Sequence, residues 1–246
     1  MQNKVMEYLA DVEELLQEEE KKAENYSEMS NVELLTTLKN IEDYCLTTHF
    51  GNLALSHFGL PSIERDRYKY LVGNGYKSLI HGMLKEVGKD ENDAIFDDIA
   101  RFYHDEYDKN SMYLTKTYEG MPELIKSLNK KGIKLAVLSN KPHGAVKVVA
   151  DELYGDVFDL CYGSREGVPL KPDPSMLFEI LKDFDVSPEE CVYVGDTNTD
   201  MQTGKSAGAF TVGVLWGFRD KEELEQNKAD LIVSHPDEIL KYIESV

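Results

Sequence analysis

The sequence predicts an α/β protein, with a parallel sheet in its C-terminal half and a helical N-terminal half. Three observations carry this. Short apolar strands alternate with helical stretches after residue 112, the pattern of parallel βαβ units. Residues 31–111 keep helical spacing and show no convincing strand. Hydrophobic residues make up 41% and charged residues 30% of the 246, as in a globular chain.

Taken in order, residues 1–30 are acidic and poor in glycine and proline. Val5, Leu9, Val12 and Leu16 recur at helical spacing, so this segment reads as an amphipathic helix with a solvated end. Leu34, Leu35, Leu38, Ile41 and Tyr44 form a second helical stripe. Gly59-Leu60-Pro61 and Val72-Gly73-Asn74-Gly75 break the pattern, and helices follow near 76–87 and 92–108. Nothing in 1–40 has strand texture.

Past Met112 the texture changes. Gly120-Met121-Pro122 opens a helix, and Gly132 ends it. Ile133 to Leu138 is an apolar strand that stops at Ser139-Asn140. After a helix near 143–152 comes a short strand at 160–162, then a helix begun by Asp173-Pro174. Cys191 to Val194 is a strand ending at Gly195-Asp196, followed by a helix near 199–206. Phe210 to Leu215 and Leu231 to Val233 are further strands, and a last helix closes the chain.

Composition excludes several classes of function. Lys plus Arg number 27 against 46 Asp plus Glu, a net charge of −19. Such a chain repels phosphate backbones and anionic lipid, so nucleic acid and membrane are not expected partners. No apolar run approaches a bilayer span, and no signal-peptide core follows Met1. Cys45, Cys161 and Cys191 are odd in number and far apart, which fits reduced cytoplasmic thiols. The six histidines show no ligand spacing, and neither a dinucleotide fingerprint nor a P-loop is present.

In parallel sheets, ligands sit at the carboxyl ends of the strands, where Ser139, Asn140 and Asp196 fall. Singly, each is an ordinary turn or cap residue, and Lys171 an ordinary loop lysine. Together, a hydroxyl, an amide, a lysine and the carboxylates of Asp196 and Asp200 suit a phosphate with a divalent cation. Serine and lysine bind phosphoryl oxygens, and hard carboxylate oxygens suit Mg²⁺.

These segments resemble the haloacid dehalogenase superfamily, specifically its phosphoglycolate phosphatase-like branch. Leu135 to Lys141 is similar to that family's second motif, whose hydroxyl binds the phosphoryl group. Lys171-Pro172-Asp173-Pro174 is similar to the third, and Val194 to Asp200 to the fourth. Gly213 to Arg219 resembles a segment typical of the branch. Weaker likeness runs back to about residue 52, through Ala54 to Pro61 and Val72 to Gly75, which look like a helical cap. The resemblance implies a Rossmann-like three-layer core over 112–246 and a helical cap over 34–111, while the spacing and charge of 1–33 predict an acidic helical segment in place of the usual first strand. It implies Ser139, Asn140 and Lys171 on phosphate, Ser139 and Lys171 as catalytic groups, Asp196 and Asp200 on Mg²⁺, and a small phosphorylated metabolite as substrate.

One motif is missing. The family's first strand ends in Asp-x-Asp-Gly-Thr, whose first Asp attacks phosphorus and whose second is the general acid and base. One register puts Met29 and Asn31 at those places, another Glu33 and Leu35. Asp11-Val12-Glu13 lies too far upstream. Asp183-Phe184-Asp185 falls between a helix and a strand, at the wrong sheet edge, and reads as a surface loop. An altered reading frame or rearranged gene, a noncatalytic relative, and a divergent N-terminal carboxylate such as Asp11 or Glu33 all remain open, the last ranked lowest. The expectation is a phosphomonoesterase scaffold with impaired activity, or a noncatalytic phosphate-binding or interaction protein on the same scaffold.

Overall fold

The computed structural model describes residues 33–36, 43–72, 75–90, 94–110 and 117–245. Its first element is a strand, β1 (Glu33–Thr36). Helices α1 (Asp43–His57), α2 (Tyr68–Leu71), α3 (Gly75–Glu86) and α4 (Phe96–Lys109) follow. Then come α5 (Met121–Lys130), β2 (Leu135–Pro142), α6 (His143–Tyr154), β3 (Leu160–Ser164) and α7 (Ser175–Phe184). The chain continues through β4 (Cys191–Gly195), α8 (Asn198–Ala207), β5 (Phe210–Val214), α9 (Lys221–Gln226), β6 (Leu231–Val233) and α10 (Pro236–Ser245).

The described strands form a six-stranded sheet in the order β3-β2-β1-β4-β5-β6. Every pairing is parallel. Side chains alternate between the two faces of a strand, and here both faces are covered. Leu135, Val137, Val192 and Val194 pack with α5, α6 and α10 on one side. Ala136, Leu138, Cys191 and Tyr193 pack with α7 and α8 on the other. This is the three-layer α/β core. A separate apolar cluster, including Leu55, Tyr68, Ile80, Met83, Leu84 and Ile99, holds α1 to α4 together as the helical cap.

β1 corrects the sequence reading. No strand was expected before residue 40, a helix was to stand in for the first strand, and the helical stretch was to begin at residue 34. Instead Glu33–Thr36 occupies the sheet centre, with Leu35 opposite Ala136 on one side and Tyr193 on the other. The stripe from Leu34 to Tyr44 is therefore not one helix, and α1 starts at Asp43. The physical reason lies outside the segment. Without β1, the facing edges of β2 and β4 would bury unpaired N–H and C=O groups. A four-residue segment with two apolar residues, Leu34 and Leu35, is too short to impose a period of its own, and short stretches read equally as helix or strand. The expected helix over 1–30, with Asp11, Glu13, Met29 and Asn31, lies outside the described residues.

Candidate functional site

β2 and β4 flank β1 and end at the same edge of the sheet. β2 carries Ser139 and Asn140 near that edge, and β4 delivers Asp196 just past Gly195. Ser139 and Asp196 are both buried polar residues. The Ser139 hydroxyl oxygen accepts the Lys141 N–H at 3.2 Å, which fixes its position.

Lys171 reaches the same edge from the loop before α7. Asn140 clasps its backbone from both sides: the amide oxygen accepts the Lys171 N–H at 2.9 Å, and the amide nitrogen donates to the Lys171 carbonyl at 3.1 Å. The Lys171 ammonium then donates to Asp200 Oδ1 at 2.7 Å and to the Leu138 carbonyl at 3.2 Å. The sequence assigned Asn140 to phosphate; its geometry is that of a group orienting the lysine.

Asp200 lies in the first turn of α8, which Thr197 caps. Thr197 Oγ1 accepts the Asp200 N–H at 3.3 Å and donates back to Asp200 Oδ2 at 2.7 Å. The backbone N–H groups of Asp196 and Thr197 also donate to Oδ2, at 3.2 and 3.1 Å. Both carboxylate oxygens of Asp200 are thus engaged, one with the lysine and one with the helix start. Carboxylates are favoured at such a start by the orphan N–H groups and the helix dipole. Thr-x-x-Asp ahead of a helix is a readable capping box, so Thr197 was within reach of the sequence and was missed.

Asp196 is set differently. Its Oδ2 accepts the Phe218 N–H at 2.8 Å. Gly217 lies so close that a Cβ there would overlap the Asp196 carboxylate, and a Cβ at Gly195 would overlap the Asp200 side chain. Phe218 and Arg219 fall in the Gly213–Arg219 segment that resembles the branch, but the resemblance gave them no role; Glu223 carried no motif signal.

The ladder of β1 stops short of these groups. Thr36 pairs with Val137 and Val194, two residues before Ser139 and Asp196. Glu33 pairs with Cys191, five residues before Asp196. At ~3.3 Å per residue that is about 16 Å from the site, at the opposite edge of the sheet. Glu33 is thereby removed as a divergent nucleophile. The next residues in the sequence, Thr37 to Glu42, contain no aspartate. Asp183 and Asp185 are exposed and lie before β4, away from the site edge, as expected. But Asp183 and Phe184 are the last residues of α7 and Phe184 is buried, so the stretch is a helix end with Asp185 as its cap and not a loop. Among the described residues, no three His, Cys, Asp or Glu side chains converge on a metal-sized site. No helix among them is long and apolar enough to cross a membrane.

The model of the haloacid dehalogenase-like hydrolases matches residues 36–214. The chain belongs to that family. Haloacid dehalogenase phosphatases generally use a divalent metal, typically Mg²⁺. The chain is 30% identical over 192 residues to the phosphoglycolate phosphatase of Aquifex aeolicus, covering 78% of this chain and 85% of that protein. It is 27% identical over 214 residues to the phosphoglycolate phosphatase of Pasteurella multocida, covering 85% and 94%. A haloacid dehalogenase-like family hydrolase from Streptococcus pneumoniae superposes with a TM-score of 0.76 at 20% identity. That match covers 87% of this chain and 99% of the other, and shows the shared fold. The family match begins at Thr36, the last residue of β1, where the haloacid dehalogenase-like pattern of this chain starts.

Proposed function

We propose that this protein binds a small phosphomonoester of the 2-phosphoglycolate type and hydrolyses it orders of magnitude more slowly than relatives with a complete nucleophile motif. The observation that carries this is the contrast at one sheet edge. Lys171, Asp200, Thr197 and Asp196 form a buried, hydrogen-bonded constellation, and Ser139 is buried at the same edge. The strand between them, Glu33-Leu34-Leu35-Thr36, carries no aspartate. The phosphoglycolate phosphatases among its relatives support the substrate class.

In this reading the Ser139 hydroxyl and the Lys171 ammonium take phosphoryl oxygens, and Asn140 holds the lysine loop in register. Mg²⁺ is commonly held by one or two carboxylates, with waters and substrate phosphate completing its shell. Asp196 is a buried hard-oxygen donor, so the residues present fit the ion. Asp196 would ligate it, while Asp200, with both oxygens engaged, would position the loop through the Asp196 N–H. Bound there, Mg²⁺ would neutralise phosphoryl charge. A cytoplasmic setting belongs to the same reading, given three cysteines at disulfide-unfriendly spacing.

Phosphoryl transfer in this family needs positioning, charge neutralisation and an attacking carboxylate. With the third absent, slow direct attack by water is left, and losing one member of a catalytic unit costs several powers of ten. The test is Mg²⁺-dependent phosphate release from 2-phosphoglycolate by the unmodified chain, with Lys171→Ala as a contamination control. The expected turnover is far below ~1 s⁻¹. Turnover near that value that vanishes in the lysine variant would refute the impairment. Phosphate and Mg²⁺ binding with no turnover at all would favour the noncatalytic reading.

A further inference from the structure

We infer that Arg219 is a positioning residue that ties the helical cap to the loop bearing Asp196, so that cap placement and metal binding at Asp196 are coupled. The metal half of this rests on the Mg²⁺ reading above; the cap half does not.

The link runs through residues 215–220, between β5 and α9. Gly217 packs its backbone against the Asp196 carboxylate, and the Phe218 N–H donates to Asp196 Oδ2 at 2.8 Å. The side chain of Phe218 packs with the apolar cluster of the cap. One residue on, the Arg219 guanidinium spans both units. Its Nη1 donates to the Lys69 carbonyl of α2 at 2.6 Å, and it lies 5.8 Å from the Tyr70 ring centre. Its Nε donates to Glu223 Oε1 at 3.1 Å. That same oxygen accepts the N–H of Asn198, two residues past Asp196, at 3.3 Å. Two short routes therefore join the Asp196 loop to the cap: one through Phe218, and one through Glu223 and Arg219.

The chemistry suits an arginine. The last carbonyls of a helix have no partner within it, and a cation satisfies them. Lys69 belongs to the four-residue α2, and its carbonyl near the C-terminal end of that helix accepts the guanidinium N–H. The planar guanidinium donates in two fixed directions at once, toward Lys69 and toward Glu223, whereas a lysine ammonium lacks that fork. The arginine side chain is only 13% exposed, so water competes poorly for these bonds. Any coupling through it is reciprocal: what holds the cap favours the loop, and what orders the loop holds the cap.

The test is hydrogen exchange on the full chain, with and without Mg²⁺ and inorganic phosphate, beside calorimetry with the same probes. The reporter is the Val72 amide, which closes α2 by donating to the Tyr68 carbonyl at 3.1 Å. The control is the Val87 amide in the cap, bonded to the Met83 carbonyl. In Arg219→Ala, Val72 should exchange about tenfold faster, as expected for losing one charge-assisted bond, with Val87 unchanged. Arg219→Lys should recover part of the protection. In the wild type the two probes should slow Val72 exchange, and in Arg219→Ala they should not. Wild-type exchange at Val72 in Arg219→Ala would overturn the positioning role. So would equal acceleration at Val87 or no rescue by lysine, either of which marks general packing. Heat of Mg²⁺ binding with Val72 unmoved would overturn the coupling alone. No heat in the wild type would overturn the metal reading and the coupling with it, while the probe-free comparison still decides whether Arg219 positions the cap.

Discussion

Lys171 and Asp200 form an ion pair whose side chains are 4% and 1% exposed, with Nζ and Oδ1 2.7 Å apart. Replacing Lys171 by alanine strands a carboxylate in the interior. Breaking a buried pair from one side costs about 3–5 kcal/mol, mostly the penalty of the charge left behind. Three donors remain on Asp200 Oδ2: the N–H groups of Asp196 and Thr197 and the Thr197 hydroxyl. They place the cost at the lower end, about 3 kcal/mol. In a chain of this size ~1 kcal/mol moves Tm by ~2–4 °C, so the expected fall is about 6–12 °C. Urea titration and thermal melting of the wild type and Lys171→Ala would measure it. The double variant Lys171→Met with Asp200→Asn removes both charges, and should cost clearly less than the sum of the two single changes. A loss under ~1 kcal/mol in Lys171→Ala, or strict additivity in the double variant, would refute the buried-pair account.

Two further outcomes follow from the same geometry. Gly217→Ala would push a Cβ into the Asp196 carboxylate; it should cost about 1–3 kcal/mol in urea titration and weaken Mg²⁺ binding by calorimetry, whereas unaltered Mg²⁺ affinity would separate Gly217 from the site. Burial raises the Cys161 thiol from the ordinary 9.0 to about 11, with the Lys147 charge opposing the shift. The neutral thiol is therefore favoured, so at pH 8 the thiolate population is about one hundredth of an ordinary cysteine's, and alkylation of this half-buried residue should keep accelerating well past pH 9. A rate that levels off near pH 9 would contradict this.

What the sequence made legible was local. Apolar runs that stop at Ser139 and Asp196 mark strand ends, and strand ends are where such sheets bind ligands. What it hid depends on distant partners. β1 exists because β2 and β4 need a neighbour, a demand that nothing in Glu33-Leu34-Leu35-Thr36 announces. Arg219 meets Lys69 across 150 residues of chain, and no spacing rule reaches that far. Asn140 was read as a phosphate ligand because an amide at a strand end can be one; only the position of the Lys171 backbone reveals the clasp.

The same distinction bears on how this chain can keep a phosphatase scaffold without the aspartate that attacks phosphorus. The buried charges have partners from elsewhere in the core. Lys171 is held by Asp200 and the Leu138 carbonyl, Asp200 by the start of α8, and Asp196 by the Phe218 N–H. None of these bonds needs an aspartate at the tip of β1. An aspartate there would add another carboxylate beside Asp196, and like charges at such spacing raise the cost of ionisation unless a cation is bound. The parallel pairing of β1 with β2 and β4 therefore meets the sheet's need at its centre without an aspartate in the strand. On the proposed reading the missing motif falls on the chemistry and not on the fold, so phosphate affinity and phosphate release should part company when both are measured on the same preparation.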